Sequence, residues 1–301
     1  MPARRKRRGR YYLARVHKGG LLTDEQLREA LLKTSGVVIG ADGWTFTDVI
    51  AARLETGEDY VFGYLTRYEP RGVVRVLDRR HHSTGEQVAR ELVIALSPFV
   101  YIPSQSGIAY MHVWDLLERS VFVSHFSRVV VEFFQNFFVT CDIEPITDLR
   151  TFAIRLRDLD VVTEIEAKVH PPNPLFGRAW ETLDAYIENR NAKELTISEQ
   201  GTKESPLRTK LLELAVVLSQ DRDEGQIVGE VDLTDAAVLM AADGYGSGKV
   251  TGYGKDIEIV VLTAQNQLSF LFAKQPAADA LASEALKRLK RESERRGLMH
   301  L

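Results

Sequence analysis

Apolar and polar positions change their period several times along the 301-residue chain, and each change marks an element. The sharpest change lies between Val161 and Tyr186. Val161, Thr163, Ile165, Ala167 and Val169 share one face of an extended segment, and Val162, Glu164, Glu166, Lys168 and His170 share the other. This is the period-2 pattern of a half-buried strand. The run His170-Pro171-Pro172-Asn173-Pro174 ends it, because proline donates no ladder hydrogen bond and keeps the preceding residue out of the helical region. A helix is predicted over 175–189.

Before this point the pattern is mostly β. Residues 11–17 read as a short strand. Thr23 and Gln26 have the spacing of a capping box, so a helix is predicted from there to about Lys33. Alternation with turn residues predicts strands over 44–54, 60–68 and 73–77, broken at Thr56-Gly57-Glu58-Asp59 and Pro70-Arg71-Gly72. A further pair, 88–101 and 107–114, flanks Pro103-Ser104-Gln105-Ser106. Helices and strands then alternate. A very apolar helix is expected over 120–138, with Phe122, Phe126, Val129, Val130, Phe133 and Phe137 on one stripe. A strand follows at 139–145, a helix from Thr147 or Asp148, and, beyond the strand 161–169, a strand at 195–198 and a helix at 206–220. From Gln226 strands are predicted at 227–233, 236–242, 250–253, 257–262 and 268–272, and a charged helix at 277–297.

These elements predict an α+β protein: an N-terminal antiparallel β meander, a split-βαβ (ferredoxin-like) layered sheet, and a C-terminal β region with a terminal helix. The expected division is a basic arm at 1–20, a β-rich region at 21–115, an α+β domain at 116–276 and the charged helix at 277–301. No uninterrupted apolar run reaches bilayer length, so no membrane contact is expected. The charged beginning has no apolar stretch behind it, so no secretory signal is expected. The single Cys141 forms no intramolecular disulfide and fits a reducing cytoplasm.

Net charge is -3, but its distribution is uneven. Arg4, Arg5, Lys6, Arg7, Arg8, Arg10, Arg15 and Lys18 meet no acid in the first 18 residues, which leaves 31 basic against 42 acidic residues in the rest. The arm, from Arg4 to Arg10, is therefore the expected phosphate contact, acting through counterion release.

Three candidate chemistries stand beside that reading. Asp148, Glu166 and Lys168 match the acid and strand-borne Glu-x-Lys of PD-(D/E)xK nucleases, where two carboxylates hold a divalent ion such as magnesium and a lysine supports the attacking water. Alternation alone equally explains Glu166 and Lys168 as a solvated sheet face, and Asp148 as a helix start. Gly244-Tyr245-Gly246-Ser247-Gly248-Lys249 has the look of a phosphate loop, but Asp243 stands where the first glycine belongs and Val250 follows Lys249. A glycine-rich hairpin is expected there, with Lys249 a possible phosphate contact. His81 and His82 could exchange protons, although neighbours on a strand point to opposite faces. No Cys/His spacing fits zinc, and no metal or cofactor is expected outside the nuclease alternative.

The strand ending in Val169-His170-Pro171-Pro172-Asn173-Pro174, the helix bearing Trp180 and Tyr186 that leads to Arg190-Asn191-Ala192-Lys193, and Asp243-Gly244-Tyr245-Gly246 form a layout. It resembles uncharacterised bacterial proteins encoded near mobile elements and phage-defence genes. The resemblance covers about the last two thirds of the chain. It implies a cytoplasmic bacterial or phage protein that acts on or senses nucleic acid, and it supplies no catalytic residues. The expected function is a non-enzymatic, nucleic-acid-associated component of a phage-defence system. The alternatives are a metal-dependent nuclease and an assembly subunit, or homo-oligomer, that uses the apolar 120–138 helix and the C-terminal helix as partner surfaces.

Overall fold

The computed structural model describes residues 7–171, 175–220 and 231–300. The chain is mixed α+β, and every strand pairing among the described residues is antiparallel. The organising strand is β1 (Arg8–Gly20). After it come α1 (Asp24–Lys33), β2 (Val37–Ile39), β3 (Asp42–Arg53), β4 (Asp59–Asp78), β5 (Ser83–Ile102), β6 (Gly107–Met111), α2 (Arg119–Phe133) and β7 (Val139–Pro145). The second half holds α3 (Leu149–Arg157), β8 (Val161–Val169), β9 (Leu175–Gly177), α4 (Glu181–Asn189), β10 (Leu195–Gln200), α5 (Leu211–Leu218) and α6 (Leu233–Met240). It closes with β11 (Gly246–Gly254), β12 (Ile257–Leu262), β13 (Ser269–Ala273), α7 (Ala278–Arg295) and β14 (Leu298–His300).

The first sheet has the order β13-β1-β6-β5-β4-β3-β2. Along one edge β1 pairs first with β13 and then with β7, which meet end to end near Leu13; β6 lies along the other edge. Alternation splits β1 between two cores. Ala14 and Val16 face α1 and α2, whereas Tyr11 and Leu13 face α7. A second sheet, β10-β8-β11-β12, packs with α3, α4, α5 and α6 around a third core. The strand β9 pairs with β14.

The capping box of α1 forms as expected, with Thr23 and Gln26 exchanging hydrogen bonds. Several expectations change, among them the helix expected from 175, which opens as the strand β9 and turns helical as α4 at Glu181. The strand expected at 11–17 runs from Arg8 to Gly20 and is central to the first sheet, so the basic arm joins the fold from Arg8 onward, and β7 and β13 cross the boundary expected at 115 to join it. The expected break at Pro70 is absent, because β4 runs through it as one 20-residue strand. The 120–138 helix stops at Phe133, where Gln135, Asn136 and Phe138 adopt left-handed backbone. The strand expected at 236–242 is α6 continuing into a π-turn at Ala241–Tyr245. That segment is buried on every side, so neither period shows in its sequence. The part of the 227–233 strand expected at 227–230 lies outside the described residues, and Leu233 opens α6.

The two halves are joined by a buried ionic cluster. Arg296 is 2% exposed and donates to Asp243 (2.5 Å), to Glu292 (3.3 Å) and to the carbonyls of Ala242 (3.1 Å) and Thr147 (2.5 Å). Arg15, equally buried, donates to the Gln105 carbonyl (2.5 Å) and to Ser293 (3.2 Å), and its guanidinium lies over the Tyr245 ring. Burial opposes the charge of Arg296, but Asp243 and Glu292 outweigh it and raise its pKa, so the guanidinium stays charged. Gly244 is required beside this cluster: its φ is +88°, and a Cβ there would lie 2.7 Å from Arg15 Cγ. Asp243→Ala leaves the buried guanidinium groups of Arg15 and Arg296 with Glu292 as the carboxylate of the cluster, an uncompensated buried charge expected to cost about 3–5 kcal/mol. Urea denaturation would show this as a large drop in midpoint; a shift equivalent to less than about 1 kcal/mol, the scale of an exposed pair, would contradict it.

Candidate nucleic-acid interface

The registers of the first sheet define its two ends. Tyr11 pairs with Met111, and Phe99 with Tyr110. The start of β1, the end of β6 and the outer parts of β4 and β5 therefore lie at the same end, while Gly20 and Val139 lie at the other. Arg7, Arg8 and Arg10 are thus carried to the end from which the β4–β5 hairpin extends.

An aromatic series crosses this end. Tyr12 is paired with Tyr110, and His112 and Trp114, just beyond the end of β6, continue the series through ring contacts with Tyr12 and with each other. Ring centroids are 6.2 Å apart for Tyr12 and His112 and 4.6 Å for His112 and Trp114. The turn after β6 holds Trp114 outward. Leu117 N–H donates to the Val113 carbonyl, Asp115 takes a left-handed φ of 61°, and Arg67 Nη1 fixes the Leu116 carbonyl at 3.0 Å. Trp114 is consequently 74% exposed. The Arg119 guanidinium lies 5.0 Å from the Tyr12 ring centre, and Arg10 Nη1 donates to Ser269 Oγ at 3.1 Å. Burial lowers the His112 pKa, against the pull of Glu118, so the imidazole is neutral near pH 7. Its Nε2 finds no partner among the described residues. An exposed indole backed by an imidazole, with guanidinium groups beside it, can stack an unpaired base and hold its phosphates.

The residues singled out from sequence have varied placements. Arg4, Arg5 and Lys6 lie outside the described residues. Arg7, Arg8 and Arg10 are exposed at the basic end, where the Arg7 carbonyl accepts from Lys274 N–H. Lys249 is on β11, ion-paired with Glu164 at 2.7 Å, so its charge is already matched. Asp148 caps α3, accepting from Arg150 N, Thr151 N and Thr151 Oγ1. Glu166 and Lys168 lie on the outward face of β8, Lys168 paired with Glu194 at 3.0 Å. No contact joins Asp148 to that pair, and no group of three His, Cys, Asp or Glu among the described residues is placed to hold a metal. His81 and His82 sit exposed in the tip of the β4–β5 hairpin. Gly244 and Tyr245 are buried in the π-turn rather than presented as a phosphate loop. Cys141 is buried.

A second polar cluster, at the junction of the two sheets, escaped the sequence reading. The ladder between β1 and β7 sets His17 opposite Asp142 and Arg15 opposite Glu144. Burial, reinforced by Asp142 and opposed by Lys168, pushes the Glu144 carboxyl up to about 7. Burial also lowers His17 to about 4, with His170, whose ring is 5.8 Å away, pushing it the same way. The Gly244 carbonyl can only accept, so His17 Nε2, 2.6 Å away, carries the proton. The pairing of β1 with β7, and the approach of the end of β8 and the π-turn to it, bring together groups distant in sequence.

This is an α+β protein in which two antiparallel sheets and their helices share a buried ionic junction, with a basic, aromatic end on the larger sheet. The chain belongs to the family described as Domain of unknown function (DUF4747), whose model matches residues 29–218. No curated protein matches it. Among the described residues no helix is long and apolar enough to cross a membrane.

The Glu144 environment has a measurable sign. Its folded pKa of about 7 lies above the ordinary 4.5, so between those values the folded state holds more protons and stability falls as pH rises. Glu144→Gln should therefore gain melting temperature over the parent at pH 8, with the gap closing towards pH 5. A pH-independent gap would contradict this.

Proposed function

We propose that the protein binds nucleic acid at the basic end of its larger sheet, laying an unpaired base on Trp114 and its phosphates along Arg8, Arg10 and Arg119. The observation that carries this reading is the 74% exposed Trp114 backed by His112, with Tyr12 behind and Arg119 over it. What sets this ring apart from the exposed Phe137 and Phe138 is its setting beside an imidazole and guanidinium groups, and an aromatic face accepts any base because every base has a π face. The remaining chain is acidic, which repels a polyanion elsewhere and confines binding to this end. Binding here is association without chemistry, in the cytoplasm and as a component of a phage-defence system, the setting the sequence resemblance implies.

Base stacking on one aromatic ring is worth about 1–3 kcal/mol, so Trp114→Ala should weaken binding of a single-stranded oligonucleotide by roughly 5- to 100-fold in fluorescence anisotropy. Arg8→Ser together with Arg10→Ser should weaken it as well and flatten the dependence of log affinity on log salt by about 0.7 per lost phosphate contact. A parent protein that binds no oligonucleotide at 50 mM salt, or a Trp114→Ala variant that binds as the parent does, would remove the reading.

A further inference from the structure

The hairpin of β4 and β5 is much longer than the sheet that carries it. The two strands pair from Val61 and Tyr101 out to Asp78 and Ser83. The ladder of β3 on β4 ends at Tyr68, and that of β6 on β5 covers only Phe99–Ile102. Beyond Tyr68 the hairpin is a two-stranded ribbon of ten residues per strand, about 30 Å long at the usual rise. A register shift after Arg67, Pro70, and Glu91 with a left-handed φ of 55° mark its base.

Such a ribbon is marginal in water unless something covers it. The composition of one face says what does. Arg71, Val73, Arg75 and Leu77 alternate along β4, and their cross-strand partners Arg90, Val88, Glu86 and Thr84 point the same way. Val73 is 54% exposed, Leu77 61% and Val88 72%. Three guanidinium groups meet a single carboxylate on this face. Arg71 and Arg90 stand directly opposite each other, an arrangement that costs energy without an anion to share. An acidic protein would satisfy the arginines, but the Val73–Val88 pair between the Arg71–Arg90 and Arg75–Glu86 pairs calls for a surface that offers apolar groups between its anionic ones.

We propose that this ribbon enters the major groove of duplex DNA. The inference rests on the nucleic-acid reading above and narrows it to a target in which a duplex adjoins unpaired strand. The B-DNA major groove, about 12 Å wide, admits a two-stranded ribbon. Arginines there reach guanine O6 and N7 or the flanking phosphates, and Val73, Val88 and Leu77 meet thymine methyl groups. The same groove in an RNA duplex is too deep and narrow for side chains to read. The ribbon leaves the sheet at the end where Trp114 is exposed, so one nucleic acid can touch both.

The test compares anisotropy titrations of the full chain on four probes: a random-sequence DNA duplex, the same duplex with uracil for thymine, an RNA duplex and a single strand. The DNA duplex should bind about tenfold or more tightly than the RNA duplex. Arg71→Ser with Arg90→Ser should lose about tenfold on the DNA duplex with a shallower salt slope, and leave the single strand unchanged. Val73→Ser with Val88→Ser should weaken the thymine duplex more than the uracil duplex. An unchanged melting temperature establishes that each variant is folded. Equal affinity for DNA and RNA duplexes, an arginine variant that binds DNA as the parent does, or a parent dimer that dissociates in the valine variant would overturn the proposal. Single-strand binding without duplex binding would overturn it alone and leave the Trp114 reading standing; failure on all probes would remove both.

Discussion

A buried charge has to be answered where it sits, and in this protein that requirement ties the halves of the chain together. The Arg296 guanidinium, beyond the end of α7, is met by Asp243 from the π-turn, by Glu292 one turn back along α7, and by carbonyls at Ala242 and before α3. Arg15 extends the cluster to the middle of β1. None of these groups can move far without leaving a charge or a carbonyl unpaired in a dry interior, where the loss exceeds what a surface ion pair contributes. The orientation of the second sheet on the first follows from that restriction, as does the tight approach of Gly244 to Arg15.

With that junction closed, β1 becomes the axis of the molecule. Its residues face two cores, its edges carry three other strands, and its beginning delivers Arg8 and Arg10 to one end of the sheet. The same end holds Trp114 and launches the long ribbon. Arg7, Arg8 and Arg10 and the exposed Trp114 therefore share one end of a sheet in a chain whose remainder is acidic. The sheet junction, by contrast, is polar and half-closed. Its Glu144 is shifted towards neutral pH by burial among groups that also stabilise the fold.

Much of the candidate site was half legible. Arg8 and Arg10 were visible as charge, but the strand was expected only over 11–17, because a basic start looks the same whether or not it enters a sheet. Tyr12, His112 and Trp114 carried a weak signal in the alternation of Tyr110, His112 and Trp114; what joins them to Tyr12 is a pairing across some hundred residues. Asp148 caps α3, as its place at a helix start allowed, whereas Lys249 and Lys168 have partners that only folding supplies, Glu164 and Glu194.

Local chemistry alone determined several elements: the capped α1, the strand 161–169 with its proline stop, and the α+β class. In each the information lies within a few residues, in a period, a cap or a missing N–H. The tertiary structure alone decided the rest. The all-buried 236–242 segment is helical because its neighbours surround it, and apolarity on every side erases the period that would have said so. The hairpin passes through Pro70 without stopping, and β1 gains its partners from residues more than a hundred positions away. Those outcomes depend on which distant strands are free to pair and which charges must be buried together, and neither is written in the spacing of neighbouring residues.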